Sequence, residues 1–200
     1  MADVIARGAD TLNLGLDSTS WWPYWDRDSV SISSNSIAAG SEASFYTETN
    51  TKTAIQTNWP TNGVLPKGYQ IAIFRIRIAI VAAGGVDATT LEENDILDIG
   101  MGSLFELYTD VTNLRVQAPV AMLADPMSGI FTSSATTSQF TQPGTAGLGT
   151  LPDFGQIELT SEQALSARIY VPTAITTTTS SLSSVTFQVT LDTKRWKSVA

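Results

Sequence analysis

Two carboxyl groups held across a glycosidic bond are the one catalytic device that the side chains of this sequence leave open, one acting as acid and the other as base or nucleophile. Asp125, Asp153 and Glu158 are of the right type, but no spacing selects a pair among them, and each is read as part of a solvated face. Histidine and cysteine are both absent. That removes Ser-His-Asp and Cys-His nucleophiles, and zinc sites built from imidazole or thiolate. Phosphate-cradling glycine loops are missing too. Gly147 and Gly149 are followed by Pro152 where a third glycine belongs, and Gly100-Met101-Gly102 leads into Ser103-Leu104-Phe105. Asp26-Arg27-Asp28 alternates acid and base, which fits a surface ion pair better than calcium, because a calcium loop supplies further oxygen ligands. The chain is accordingly read as a non-enzyme that needs no metal or cofactor.

The basic residues point to contacts rather than catalysis. Arg75 and Arg77 alternate with Ile76 and Ile78, so they project from the polar face of a strand, where they blunt the sheet or meet acids of a neighbouring subunit. Lys194, Arg195 and Lys197 surround Trp196 and form a basic cluster near the C-terminus. Three charges are a thin footprint for nucleic acid or anionic lipid, and a subunit contact is the better reading. The whole chain carries 11 basic and 19 acidic residues, a net charge of −8, which opposes strong direct binding to nucleic acid.

These residues must be held by β structure. The centre of the chain is the stretch from Asn58 to Ala83. Its first half is turn chemistry, with Pro60, Asn62-Gly63, Pro66 and Gly68. Its second half is a strand whose apolar positions are odd at Ile71 and Ile73 and even at Phe74, Ile76, Ile78 and Ile80, so a β-bulge is expected at Ile73-Phe74. Residues 29–37 and 43–49 read as two strands of a hairpin, with Ala38-Ala39-Gly40-Ser41 as the turn. Thr90 and Glu93 have capping-box spacing and predict a short helix that ends before Gly100 and turns Ile96, Leu97 and Ile99 toward a sheet. Strands follow at 103–108 and 113–118, with a turn at Thr109-Asp110. Residues 124–155 read as a long loop with at most one short strand, near Phe131 or Phe140. Segments 156–160, 165–171 and 185–191 close the chain as strands, and the Thr/Ser run from 176 to 181 is a linker.

The 200 residues, 42% of them hydrophobic, suffice for one packed domain, divided into an N-terminal arm (1–28) and a β domain (29–200). No apolar run is long enough to span a membrane as a helix, and residues 1–7 lack the layout of a secretory signal. The fold class is all-β: eight or so antiparallel strands in a sandwich or barrel, with one short helix. The arm ends in Trp21-Trp22-Pro23-Tyr24-Trp25, which holds three of the five tryptophans. Rings this large are read as a hydrophobic plug against the barrel or a neighbouring subunit, in preference to a sugar-stacking platform or a membrane-interface anchor.

Gly63-Val64-Leu65-Pro66 running straight into the alternating strand 70–80, preceded by Phe45-Tyr46-Thr47 and a loop bearing Asn58, resembles the jelly-roll capsid proteins of tailless icosahedral viruses, especially those with an internal membrane. The later pieces keep that family's order: a short helix, the strand Gly102-Ser103-Leu104-Phe105-Glu106-Leu107-Tyr108, a strand end at Ala118-Pro119, a glycine-rich excursion, and Val185 to Leu191 with Arg195 near the terminus. The resemblance covers residues 43–199.

It implies a single jelly roll of about eight strands, used as a coat building block of a virus or bacteriophage, with an arm that ties neighbours together. The chain is too short for two barrels. Its first 28 residues hold only Arg7 and Arg27 against five aspartates, unlike the basic arms of small RNA-virus coats. The implied partners are copies of itself in capsomers, other capsid proteins and an underlying viral membrane; the implied location is the virion, after synthesis in the host cytoplasm. Trp21, Trp22, Tyr24, Trp25, Arg75, Arg77, Lys194, Arg195 and Trp196 are the candidate subunit contacts. The competing reading is a carbohydrate-binding β-sandwich of a viral spike or tail, stacking sugars on Trp and Tyr.

Overall fold

The computed structural model describes residues 20–47, 49–59, 63–84, 93–124, 130–134, 137–141, 156–178 and 182–197. Thr90, Asp125, Asp153 and the first 19 residues lie outside them. In chain order the elements are β1 (Ser20–Ser31), β2 (Ser36–Ile37), β3 (Glu42–Phe45), a 3-10 turn (Thr49–Thr51), β4 (Tyr69–Gly84), α1 (Glu93–Gly102), β5 (Leu104–Thr109) and β6 (Asn113–Pro119). A second 3-10 turn (Val120–Leu123), β7 (Ile130–Ser134), β8 (Thr137–Thr141), β9 (Ile157–Leu159), β10 (Leu165–Tyr170), β11 (Ile175–Thr176) and β12 (Ser184–Lys197) complete the chain.

The protein is an all-β sandwich. One four-stranded sheet has the order β1-β12-β4-β9 and the other β3-β10-β5-β6, with every ladder antiparallel. Among these eight strands the first pairs with the last (β1 with β12), the second with the seventh (β3 with β10), the third with the sixth (β4 with β9) and the fourth with the fifth (β5 with β6). The pairing is nested, as in one long hairpin whose two arms are wound together. Inward side chains of both sheets merge into a single core that includes Phe45, Tyr46, Ile71, Ile78, Phe105, Ile169 and Phe187.

The expected bulge is present. Thr193 pairs with Ile73 and Asp192 with Arg75, so Phe74 is the extra residue, and the inward set switches from Ile71 and Ile73 to Ile76 and Ile78. Phe74 itself does not join the core as its even position implied. It is 42% exposed. A second shift leaves Val81 as an extra residue opposite Thr186/Phe187.

Other expectations are corrected. The hairpin between residues 29–37 and 43–49 does not form. A tight turn at Ser34-Asn35, both with positive φ, ends β1; β2 pairs with β11 and β3 with β10. The turn at 38–41 is present, with Gly40 at φ 82°. The strand β1 takes in residues 20–28, assigned from sequence to the arm. Proline belongs there because β1 is an edge strand, where a missing N–H leaves no ladder bond unmade. The helix runs on through Gly102, and it buries Asp95, Ile96 and Ile99 while Leu97 stays exposed. Residues 130–141 contain two strands rather than one, with Phe131 opposite Phe140. Thr176, read as linker, pairs with Ser36.

One polar anchor and one closely packed glycine help hold the frame together. The carboxylate of Asp95 accepts from the Thr178 backbone N–H at 2.6 Å and its hydroxyl at 2.9 Å, tying α1 to the segment after β11. Gly63 has φ 60°, and a Cβ there would stand 3.1 Å from the Leu165 carbonyl oxygen and 3.3 Å from that of Tyr46. Only glycine meets both conditions.

Candidate self-association surface

Cross-strand register places the sequence-derived contact residues on one sheet. Trp21, Lys194, Ala72 and Glu158 form a row across β1, β12, β4 and β9. The next rows are Pro23-Asp192-Arg75 and Trp25-Thr190-Arg77, followed by Arg27-Gln188-Ala79. These residues share the face opposite to Tyr24, Leu191 and Ile76, which are buried, and so form the outer face of the sheet.

Polar side chains on this face satisfy one another along much of its length. Arg77 donates to both oxygens of Asp192, at 3.0 and 2.8 Å. Arg27 Nε donates to Gln188 at 2.7 Å, and the Ser29 and Thr186 hydroxyls are 2.8 Å apart. Trp196 donates from its indole to Gln70 at 2.9 Å. At the β1 start the character changes. The rings of Trp21 and Phe74 stand 5.2 Å apart, with Trp21 67% exposed. The bulge explains Phe74, because an extra residue cannot keep its place in the core alternation.

Trp22 points the other way. Its ring carries the Arg195 guanidinium at 4.7 Å, and the ring of Tyr69 faces the same guanidinium at 5.2 Å. The guanidinium thus packs on two rings at this end of the sheet, a cation–π arrangement. Trp25 is half-buried on the outer face. Tyr24 is not a surface contact. It is a core residue whose ring packs on Trp59 at 4.8 Å, so it leaves the list of subunit contacts.

The free edge of β1 is blunted. Asn58 accepts from the Trp25 N–H at 2.7 Å and donates to the Pro23 carbonyl at 2.7 Å, and its own N–H donates to the Trp25 carbonyl at 3.1 Å. One side chain thus occupies the hydrogen-bonding groups that a strand from another subunit would need. At this end of β1 the outer face, not the edge, is the surface left open.

Sequence reading missed two charged clusters. Asp26 is fully buried and accepts from the Tyr46 N–H at 2.5 Å, the Arg27 N–H at 2.9 Å and Lys52 at 2.9 Å; Asp28 accepts from the Ser44 N–H at 2.6 Å. Both carboxylates tie β1 to β3 and the loop after it, where the motif had raised an ion pair or calcium. Burial pushes the Asp26 carboxyl up, against the N–H of Tyr46 and the Lys52 ammonium, and burial with the nearby Asp26 charge pushes the Tyr46 phenol well up. Among the described residues no three acids converge as metal ligands.

The second cluster lies on the outer face of the other sheet, where Ser44, Arg168, Glu106 and Gln117 form one row across β3, β10, β5 and β6. Glu106 accepts from Arg168 Nε at 2.6 Å, from Gln117 at 2.7 Å and from the Tyr108 hydroxyl. Burial alone would raise its carboxyl, but these hydrogen bonds outweigh it and hold Glu106 below the usual range. The hydrogen bond to Glu106 holds the Tyr108 proton on, pushing that phenol up. A phenol so held is a poor base near neutral pH.

No family model matches the chain, and neither does any curated protein sequence. What the geometry offers is therefore the basis for a functional reading. Of the acids considered for catalysis, Glu158 sits on β9 with its carboxylate accepting from the neighbouring Gln156 amide at 2.7 Å. Among the described residues no helix is long and apolar enough to cross a membrane.

Proposed function

We propose that the protein is a structural coat subunit that acts by associating with copies of itself, and that its nested eight-strand pairing is a single jelly roll. The supporting observation is the Trp21–Phe74 pair on an outer face whose polar side chains hydrogen-bond one another along much of its length, beside an edge that Asn58 caps. Covering the exposed parts of both rings would remove on the order of 200 Å² of apolar surface from water, roughly 5 kcal/mol. That is an anchor and not an interface, since stable interfaces bury about 1,200 Å² or more. Further area on this reading comes from the polar rows beside it and from Lys194.

The partners that follow are other copies in capsomers, further coat proteins and a viral membrane beneath, in a virion. Sedimentation velocity and electron microscopy of the purified full chain across a concentration series test the reading. Discrete oligomers or shells are expected. A monomer at every concentration up to the solubility limit, with no ordered particles, overturns it.

A further inference from the structure

The outer face of the second sheet carries a depression of about 460 Å³ that the aromatic end of the first sheet does not touch. Its floor is the pair Ser166 and Tyr108, directly opposite each other on β10 and β5. Arg168 and Glu42 form one wall, and the tip of the β5–β6 hairpin, Val111 and Thr112, forms the other.

We infer that this depression binds a neutral carbohydrate. Three observations select that class. The depression is broad and open to solvent, with room for one or two sugar rings lying against the sheet. The hydroxyls of Ser166, Thr112 and Thr47 have no protein partner among the described residues, so three groups able both to donate and to accept line the space. Arg168, the lining cation, is already committed: Nε to Glu106 at 2.6 Å, Nη1 to Glu42 at 3.1 Å and Nη2 to the Tyr108 oxygen at 3.3 Å. A phosphate, sulfate or carboxylate approaching the remaining N–H groups would meet the repulsion of the Glu42 and Glu106 carboxylates that already share the guanidinium, whereas a neutral hydroxyl can use those N–H groups and the Glu42 lone pairs.

Val111 supplies the apolar side. It is 75% exposed with φ 67°, a conformation that a β-branched residue rarely adopts. Its methyls are held beside the space, where the C–H face of a pyranose would pack. This site does not depend on self-association through Trp21 and Phe74.

A glycan array carrying neutral and acidic glycans, followed by calorimetry with the best neutral oligosaccharide, tests the inference on the full chain. Ser166→Trp fills the floor from the solvent side and should weaken binding by about tenfold or more, while Trp21→Ala leaves it unchanged. Thr112→Val removes one hydroxyl from an exposed position and should weaken binding by a few-fold. It carries the test if Ser166→Trp does not fold. No glycan bound, binding confined to acidic glycans, or binding that neither variant reduces would each overturn the assignment.

Discussion

The ring of Phe74 lies 5.2 Å from that of Trp21 because Phe74 is the one residue between Ile73 and Arg75 without a partner on β12. Displaced from the core alternation, it is placed where an exposed tryptophan from the edge strand can cover part of it. A bulge that serves strand geometry also builds the sheet's exposed aromatic end.

Removing that pair should separate assembly from folding. Trp21→Ala with Phe74→Ala is expected to lower unfolding free energy by only about 1 kcal/mol, since both rings are partly in water. The same double variant should shift the sedimentation profile to monomer. Tyr24→Ala should do the reverse, costing about 3–5 kcal/mol through loss of a buried ring packed on Trp59. Denaturant midpoints and sedimentation on the three proteins distinguish the cases, and an assembling double variant would remove the anchor.

How much of this was readable beforehand follows from the range of each interaction. The bulge was legible because a change of parity within one strand, from Ile73 to Ile76, is written in adjacent residues. The strands β10 and β12 were legible through the strict alternation of Leu165 to Val171 and Val185 to Leu191. The partners of β2 and β3 were not, because β3 pairs with β10 and β2 with β11, far along the chain, and no local signal ranks those pairings over a hairpin. Tyr24 was misplaced although alternation was available: Tyr24, Asp26 and Val30 all fall on the buried parity, while Trp21 falls on the other. The Trp-Pro sequence masked that pattern. Glu106 and Arg168 meet only through the β5–β10 register, so each looked like a lone polar residue.

Acid should act on Glu106 and Asp26 with opposite sign. Glu106 is held below its ordinary value, so its contribution is fully present above the unfolded pKa, about 4.3, and is lost as pH falls through the folded value. The stability advantage of the native chain over Glu106→Gln should therefore shrink on acidification. Asp26 is raised by burial, so its contribution is present below the unfolded pKa, about 3.9, and is lost as pH rises through the folded one. The advantage over Asp26→Asn should shrink as pH rises through that window. Thermal melts of the three proteins from acid to neutral pH check both slopes, and parallel curves would contradict the assignment.

Gly63 and Gly40 share a left-handed backbone but not an environment. At Gly40 a Cβ would meet nothing within 4 Å, so Gly40→Ala carries only the conformational cost, about 1 kcal/mol. At Gly63 the Cβ would press on two backbone carbonyls at 3.1 and 3.3 Å, and backbone cannot swing aside as a side-chain tip can. Gly63→Ala is expected to cost about 2 kcal/mol or more. Equal denaturant midpoints for the two variants would show that the contacts at Gly63 add nothing.

Val111 offers a stabilising change for the opposite reason. Asp110 and Val111 both have positive φ, at 54° and 67°, in the connection between β5 and β6. Asp tolerates that region, and a β-branched side chain does not, because its Cβ substituents crowd the backbone. The residue is exposed, so little burial is forfeited when its side chain is removed. Val111→Gly relieves the crowding, although the unfolded chain gains freedom and returns part of the benefit. The net expectation is a gain of about 0.5–1 kcal/mol, a rise of roughly 1–4 °C in melting temperature for a chain of this size. A fall in melting temperature would mean that the Val111 methyls pack more firmly on the β5–β6 connection than their exposure indicates.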